Sequence, residues 1–156
     1  MEEFDESKLL VNPFAEVLRI PVTMKTATGR FVKAPDEFYD AETYPVERTP
    51  YVRIFYTPHI DIKHRVCKLT NKALRLYTYI LYHLEPNKDY IQINQDHFMK
   101  LCSVKALNTF LEGKKELIRY GFITGTEYKT VFWINPQIFF PGNRLSKYSD
   151  KIENKS

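Results

Sequence analysis

Apolar residues recur along this chain with two different periods, and the changes of period mark out its elements. Between Asn71 and Leu84, the residues Ala73, Leu74, Tyr77, Ile80, Leu81 and Leu84 fall three and four apart, the stripe of an amphipathic helix. Thr70 stands at its N-cap position, and Pro86-Asn87-Lys88-Asp89 forms the turn beyond it. Ile91 and Ile93 then alternate as a short strand leading to Asn94, a second N-cap, and a helix over Gln95–Leu101. In that helix Phe98 and Leu101 face inward, with Met99 or Cys102 at the margin. Ser103 is expected to cap a longer helix, about Val104–Tyr120, whose stripe is Val104, Leu107, Leu111 and Ile118, widened by Phe110 and Leu117. Gly113 lies inside it at a cost of roughly 1 kcal/mol relative to Ala, so it marks either a close approach by another helix or a bend. Gly121 supplies a left-handed C-terminal turn. From there Phe122-Ile123 begins a ribbon that turns near Gly125 and returns through Thr130–Ile134.

The first part of the chain is patterned differently. Phe14–Met24 has strand character, with Pro21 confining it to an edge or ending it. Thr26–Arg30 reads as a turn before Phe31-Val32, residues 34–50 as an irregular connection holding Pro35, Pro45 and Pro50, and Tyr51–Tyr56 as a strand. After the ribbon, Asn135-Pro136 ends the last strand by turn chemistry, and Ile138, Phe139 and Phe140 are apolar enough to clamp back onto the body. The organisation expected is an N-terminal arm over residues 1–48, a domain over 49–145, and a basic, flexible tail over 146–156.

Composition narrows the class. With 156 residues, 44% hydrophobic and 15% aromatic, the chain can bury a core. No apolar run approaches the ~20 residues of a membrane span, and the acidic start lacks a signal peptide's basic region, so a cytoplasmic protein is expected. Cys67 and Cys102 are far apart and read as reduced, partly buried thiols. Charge is uneven: residues 1–66 hold nine Lys and Arg against eleven Asp and Glu, residues 67–156 fourteen against eight. That excess falls where phosphate contacts would need it.

Helix, turn, helix and two-stranded ribbon, in that order, describe an α+β fold of the winged helix-turn-helix type, three helices plus a β-ribbon wing, behind a strand-containing N-terminal extension. A helix that reads base edges needs short polar or basic side chains at its N-terminal end, and Lys105, Asn108 and Thr109 supply them. Lys115 lies further along the same face. Lys129 is the basic residue of the ribbon tip, Thr124–Lys129, where Glu127 opposes it, so the wing either touches phosphate or covers the core. Arg144, with Lys147 and Lys151, forms a tail able to follow a phosphate backbone. Trp133 could stack on a base, but in an apolar strand it is read as core.

Catalysis is not expected. His59-Ile60-Asp61-Ile62-Lys63-His64 is the cluster that invites a metal, yet it lacks further ligands at recognisable spacing and reads as a polar strand edge or turn. There is no Gly-rich phosphate loop and no nucleophile elbow. The chain is read as a non-enzyme with no cofactor and no metal.

The segment Lys68–Tyr77, the two helices, Leu117–Ile123 and the closing Trp133-Ile134-Asn135-Pro136, Phe139-Phe140 and Gly142 resemble the RepL-type plasmid replication proteins, over roughly residues 49–145. The chain departs from such proteins at Leu101-Cys102-Ser103-Val104, which lacks the turn's usual Gly, and at Gly113. The resemblance implies a winged-helix protein of a plasmid or phage that binds double-stranded DNA, initiating replication or regulating transcription, while the N-terminal arm serves a homodimer or protein contact. The alternative is a winged helix used as a protein–protein docking module in a phage particle or its transcription machinery, favoured by Glu112, Glu127 and the aromatic-rich arm.

Overall fold

The computed structural model describes residues 5–8, 12–26, 43–55 and 62–152, the side chains of residues 6, 14 and 62–64 excepted. The chain divides into two compact units, 1–49 and 50–156.

In the first unit, 3-10 turns at Glu6–Lys8 and Pro13–Val17 precede strand β1, Val22–Thr26, which pairs antiparallel with β2, Thr43–Glu47. The strand expected from Phe14 begins only after Pro21, because Pro13 starts a 3-10 turn through Val17 instead. Residues 43–47, expected to be irregular, form a strand despite Pro45, which sits opposite Met24. In a two-stranded ribbon every strand is an edge, so a residue without an N–H is tolerated there. The expected turn after Thr26, Phe31-Val32 and the start of the proline-rich connection lie outside the described residues.

The second unit is mixed α+β. It runs β3 (Arg53–Ile54), α1 (Ile62–Lys68), α2 (Asn71–His83), β4 (Tyr90–Gln92), α3 (Gln95–Leu101), α4 (Leu107–Arg119), β5 (Ile123–Gly125), β6 (Val131–Ile134), β7 (Phe139–Phe140) and α5 (Arg144–Lys147). Its sheets are small and antiparallel: three strands in the order β4-β6-β5, and the pair β3-β7. Of the strand expected at Tyr51–Tyr56 only Arg53–Ile54 forms, against Phe140 and Phe139, and Tyr56 lies outside the described residues. Helix α1 falls partly where a polar strand edge or turn was expected; His59 and Asp61 are outside the described residues.

Helix α2 buries Ala73, Leu76, Tyr77, Tyr79 and Ile80, a face wider than the expected stripe and turned to include Leu76. Leu74, Leu81 and Leu84 pack at its margins. In the same core lie Phe98, Phe110, Leu117, Phe122 and Ile134, and the closing Ile138, Phe139 and Phe140 are fully buried. The C-terminal clamp expected from the sequence therefore forms part of the core, its two phenylalanines being strand β7. Beyond β7, α5 and a 3-10 turn at Ser149–Lys151 follow directly. Tyr148 is fastened there, its hydroxyl donating to Asp89 Oδ2 at 2.6 Å and its ring edge-on to Phe140.

Candidate nucleic-acid interface

Helix α3 begins as its sequence dictates, with Asn94 Oδ1 accepting from the His97 N–H at 3.0 Å. Phe98 is buried, but Leu101, expected inside, is 59% exposed. The helix stops at Cys102 because Ser103 takes a left-handed backbone, φ 52°. The Val104 N–H reaches back to the Met99 carbonyl at 2.8 Å and the Ser103 N–H to the Lys100 carbonyl at 3.3 Å. This two-bond stop usually has glycine at the left-handed position. The glycine missing from this turn is thus replaced by serine in the same geometry.

That stop moves the start of the next helix. Ser103 ends α3 rather than capping α4, and Val104 is buried as the chain crosses over, so α4 begins at Leu107 after Ala106. Lys105 is therefore an exposed residue of the connection, not of the helix. The buried face of α4 is Phe110, Gly113 and Leu117. A β-carbon on Gly113 would stand 2.9 Å from the Lys72 carbonyl oxygen, so the glycine marks close approach to α2. With the helix seated on Gly113, the expected stripe is rotated: Leu107 (48% exposed) and Ile118 (40%) face outward, and Leu111 is half-buried.

Two carboxylates tie the flank of α4 to the start of α2. Glu116 accepts from the Thr70 N–H and hydroxyl, both at 2.6 Å, so the Thr70 side chain turns to Glu116 and makes no cap hydrogen bond to the first turn of α2. Glu112 pairs with Lys72 and accepts from Asn108 Nδ2 at 3.4 Å. Thr109 is partly buried, whereas Lys105, Asn108, Lys115 and Arg119 are exposed. No carboxylate among the described residues pairs with Lys105, Lys115, Lys129 or Arg119. Lys68 joins Lys115 and Arg119 around a shallow depression with Glu112 and Glu116. Lys68 was not singled out from the sequence, because its neighbourhood comes from α4, more than forty positions away.

The ribbon closes through its own hydrogen bonds. The Thr126 hydroxyl donates to the Val131 carbonyl at 2.8 Å and accepts from the Tyr128 N–H at 3.0 Å. Glu127, Tyr128 and Lys129 are exposed on the tip. Trp133, expected in the core, is 44% exposed, its ring edge-on to its cross-strand neighbour Tyr90. Alternation decides this: Phe132 and Ile134 point inward, so the residue between them points out.

Arg144 is withdrawn from the group. Its guanidinium lies 3.6 Å above the Phe55 ring and donates to the Pro136 carbonyl at 2.8 Å, inside the packing of the C-terminal segment. The sequence-derived residues thus separate: Lys105, Asn108 and Lys115 are presented on or beside α4, Thr109 is half-covered, Lys129 stands on the ribbon tip, and Arg144 is structural.

The remaining polar chemistry is local. The Tyr79 hydroxyl is hydrogen-bonded to His97 Nδ1 at 2.7 Å, and burial, then the nearby Cys102, pushes its pKa up. Burial, reinforced by Asp89, raises that of Tyr148. Cys67 is exposed rather than partly covered, and both cysteines are free. Among the described residues no group of His, Cys, Asp and Glu is arranged to hold a metal ion, and no helix is long and apolar enough to cross a membrane. Compared with models of protein families, with curated proteins and with solved structures, the chain matches none of them.

Proposed function

We propose that residues 50–152 are a winged helix that binds duplex DNA, with α4 as the recognition helix and the β5–β6 ribbon as the wing. The order of elements supports this: a supporting helix α2, a short strand β4, then α3 and α4 across a tight stop, and a ribbon returning beside β4. The observation that carries the reading is the charge on the outer side of α4. Lys115 and Arg119 are exposed there without carboxylate partners among the described residues, with Lys105 on the approach, while Glu112 and Glu116 are drawn back onto α2. Cations left unneutralised on one helix are suited to displacing counterions from a phosphate backbone.

In this reading α4 lies in the major groove, and Lys129 reaches a flanking phosphate. The resemblance to RepL-type proteins favours initiation of replication on a plasmid or phage, with regulation of transcription using the same helix in the same groove. A protein-docking role is the second reading. It is favoured by Glu127 beside Lys129 at the ribbon tip and by apolar side chains exposed in the N-terminal unit, Val17, Leu18 and Ile20 among them.

Fluorescence anisotropy of the full chain against a labelled random duplex, over a range of salt, tests the proposal. Binding should weaken steeply with salt, and Lys115→Ala and Arg119→Ala should each lower the slope of log affinity against log salt by about one. Absence of binding at low salt would discard the DNA reading in favour of the docking module.

A further inference from the structure

We infer that the duplex read by this chain is rich in A·T pairs, and that Leu107 reads thymine through its 5-methyl group. This rests on the DNA-binding reading above and concerns the same helix. The first two turns of α4, Leu107–Gly113, contain neither Lys nor Arg, the side chains that read guanine most often through its O6 and N7, and the nearest cation, Lys105, lies on the connection before the helix. Lys115 and Arg119 come later on the helix, placed for phosphate rather than for the bases met by its N-terminal end. What that end does present on its outer side is Leu107, 48% exposed, with Asn108 exposed beside it and Leu111 half-buried one turn on.

Each of these suits one kind of base pair. Of the four bases, thymine alone presents a methyl group in the major groove, and adenine alone presents there the adjacent acceptor and donor that an Asn amide matches. The Asn108 amide has only a long contact, 3.4 Å to Glu112, and Glu112 has Lys72 as its own partner, so the amide can turn outward without stranding a charge. The pairing of Glu112 with Lys72 also weakens the competing reading, in which that carboxylate would accept from cytosine. Leu107 and Leu111 are about 6 Å apart along the helix axis, close to two base-pair steps, so successive thymines could meet successive leucines.

The test uses four labelled duplexes of equal length, alternating d(A·T), d(A·U), d(G·C) and d(I·C), with the wild-type chain and Leu107→Ala, each checked for native circular dichroism. Leu107 is exposed in the first turn, so its truncation leaves the core intact. The expected result is d(A·T) bound at least tenfold more tightly than d(G·C). Uracil for thymine should weaken wild-type binding about fourfold for each methyl contacted, an effect that shrinks in Leu107→Ala. Because d(I·C) resembles d(A·T) in the minor groove but d(G·C) in the major groove, it should bind like d(G·C). Equal wild-type affinity for d(A·T) and d(A·U), or d(I·C) bound like d(A·T), overturns the inference while DNA binding stands. If none of the four binds at low salt, the DNA-binding reading itself fails.

Discussion

Gly113 and Lys72 set the spacing of the two longest helices: a β-carbon on the glycine would stand 2.9 Å from the Lys72 carbonyl oxygen and 3.5 Å from the Ala73 α-carbon. The obstruction is backbone, which cannot swing aside as a side chain can. Gly113→Ala gains about 1 kcal/mol of helix propensity but must push α4 off α2, an overpacking cost of about 1–3 kcal/mol. The expected outcome is a net loss of about 1 kcal/mol, read as a lower midpoint of denaturant unfolding. A variant more stable than the parent would show that the helices can separate freely.

Ser103 is the complementary case. It holds φ 52° without being glycine, a conformation that L side chains enter at a cost. Ser103→Gly should stabilise the chain by about 0.5–1 kcal/mol, and Ser103→Val should destabilise it by more, since a β-branched residue is still less suited to the left-handed region. Thermal unfolding of the pair, run side by side, checks the sign of each.

Tyr77 packs edge-on to Phe122 at 5.0 Å and Phe139 at 5.3 Å, and its buried hydroxyl finds no hydrogen-bond partner among the described residues. Removing that hydroxyl by Tyr77→Phe should raise stability by about 1 kcal/mol. Burial also pushes the Tyr77 pKa up from 10.0 to about 12. The unfolded chain therefore releases this proton first, so the stability present below pH 10 declines as the pH rises toward 12. Chemical denaturation across that interval should show the decline in the parent and a shallower one in Tyr77→Phe.

Arg144 is the candidate cation whose contacts lie within the fold. Losing its contact over Phe55 and its donation to Pro136, Arg144→Ala should cost about 1–2 kcal/mol of stability. Under conditions where it remains folded, its DNA affinity and salt slope should equal the parent's. A slope reduced as in Lys115→Ala would return Arg144 to the interface.

The elements were largely legible in the chain and the faces less so. The extents of α2 and α3, the Asn94 cap and the Gly121 stop follow from local chemistry, which needs only near neighbours in sequence. Gly121 does adopt φ 77°, and the Phe122 N–H returns to the Leu117 carbonyl as that stop requires. The rotation of α4 was not legible, because it is fixed by the approach of Gly113 to α2, a contact across some forty residues. Trp133 was misplaced because hydrophobicity was weighed above alternation, and Ser103 because a good cap residue stands where a helix ends. Of the six candidate residues, Lys105, Asn108 and Lys115 fall together at α4. Arg144 was drawn away by Phe55 and Pro136, partners that only the folded chain brings near it.

Pairing of β3 with β7 joins Arg53–Ile54 to Phe139–Phe140, and the late residues Ile138, Phe139 and Phe140 have no exposed surface. During synthesis, then, α2, α3 and α4 leave the ribosome with part of their apolar face uncovered. The core closes only when residue 140 emerges, so this unit cannot complete its fold helix by helix as its helices appear.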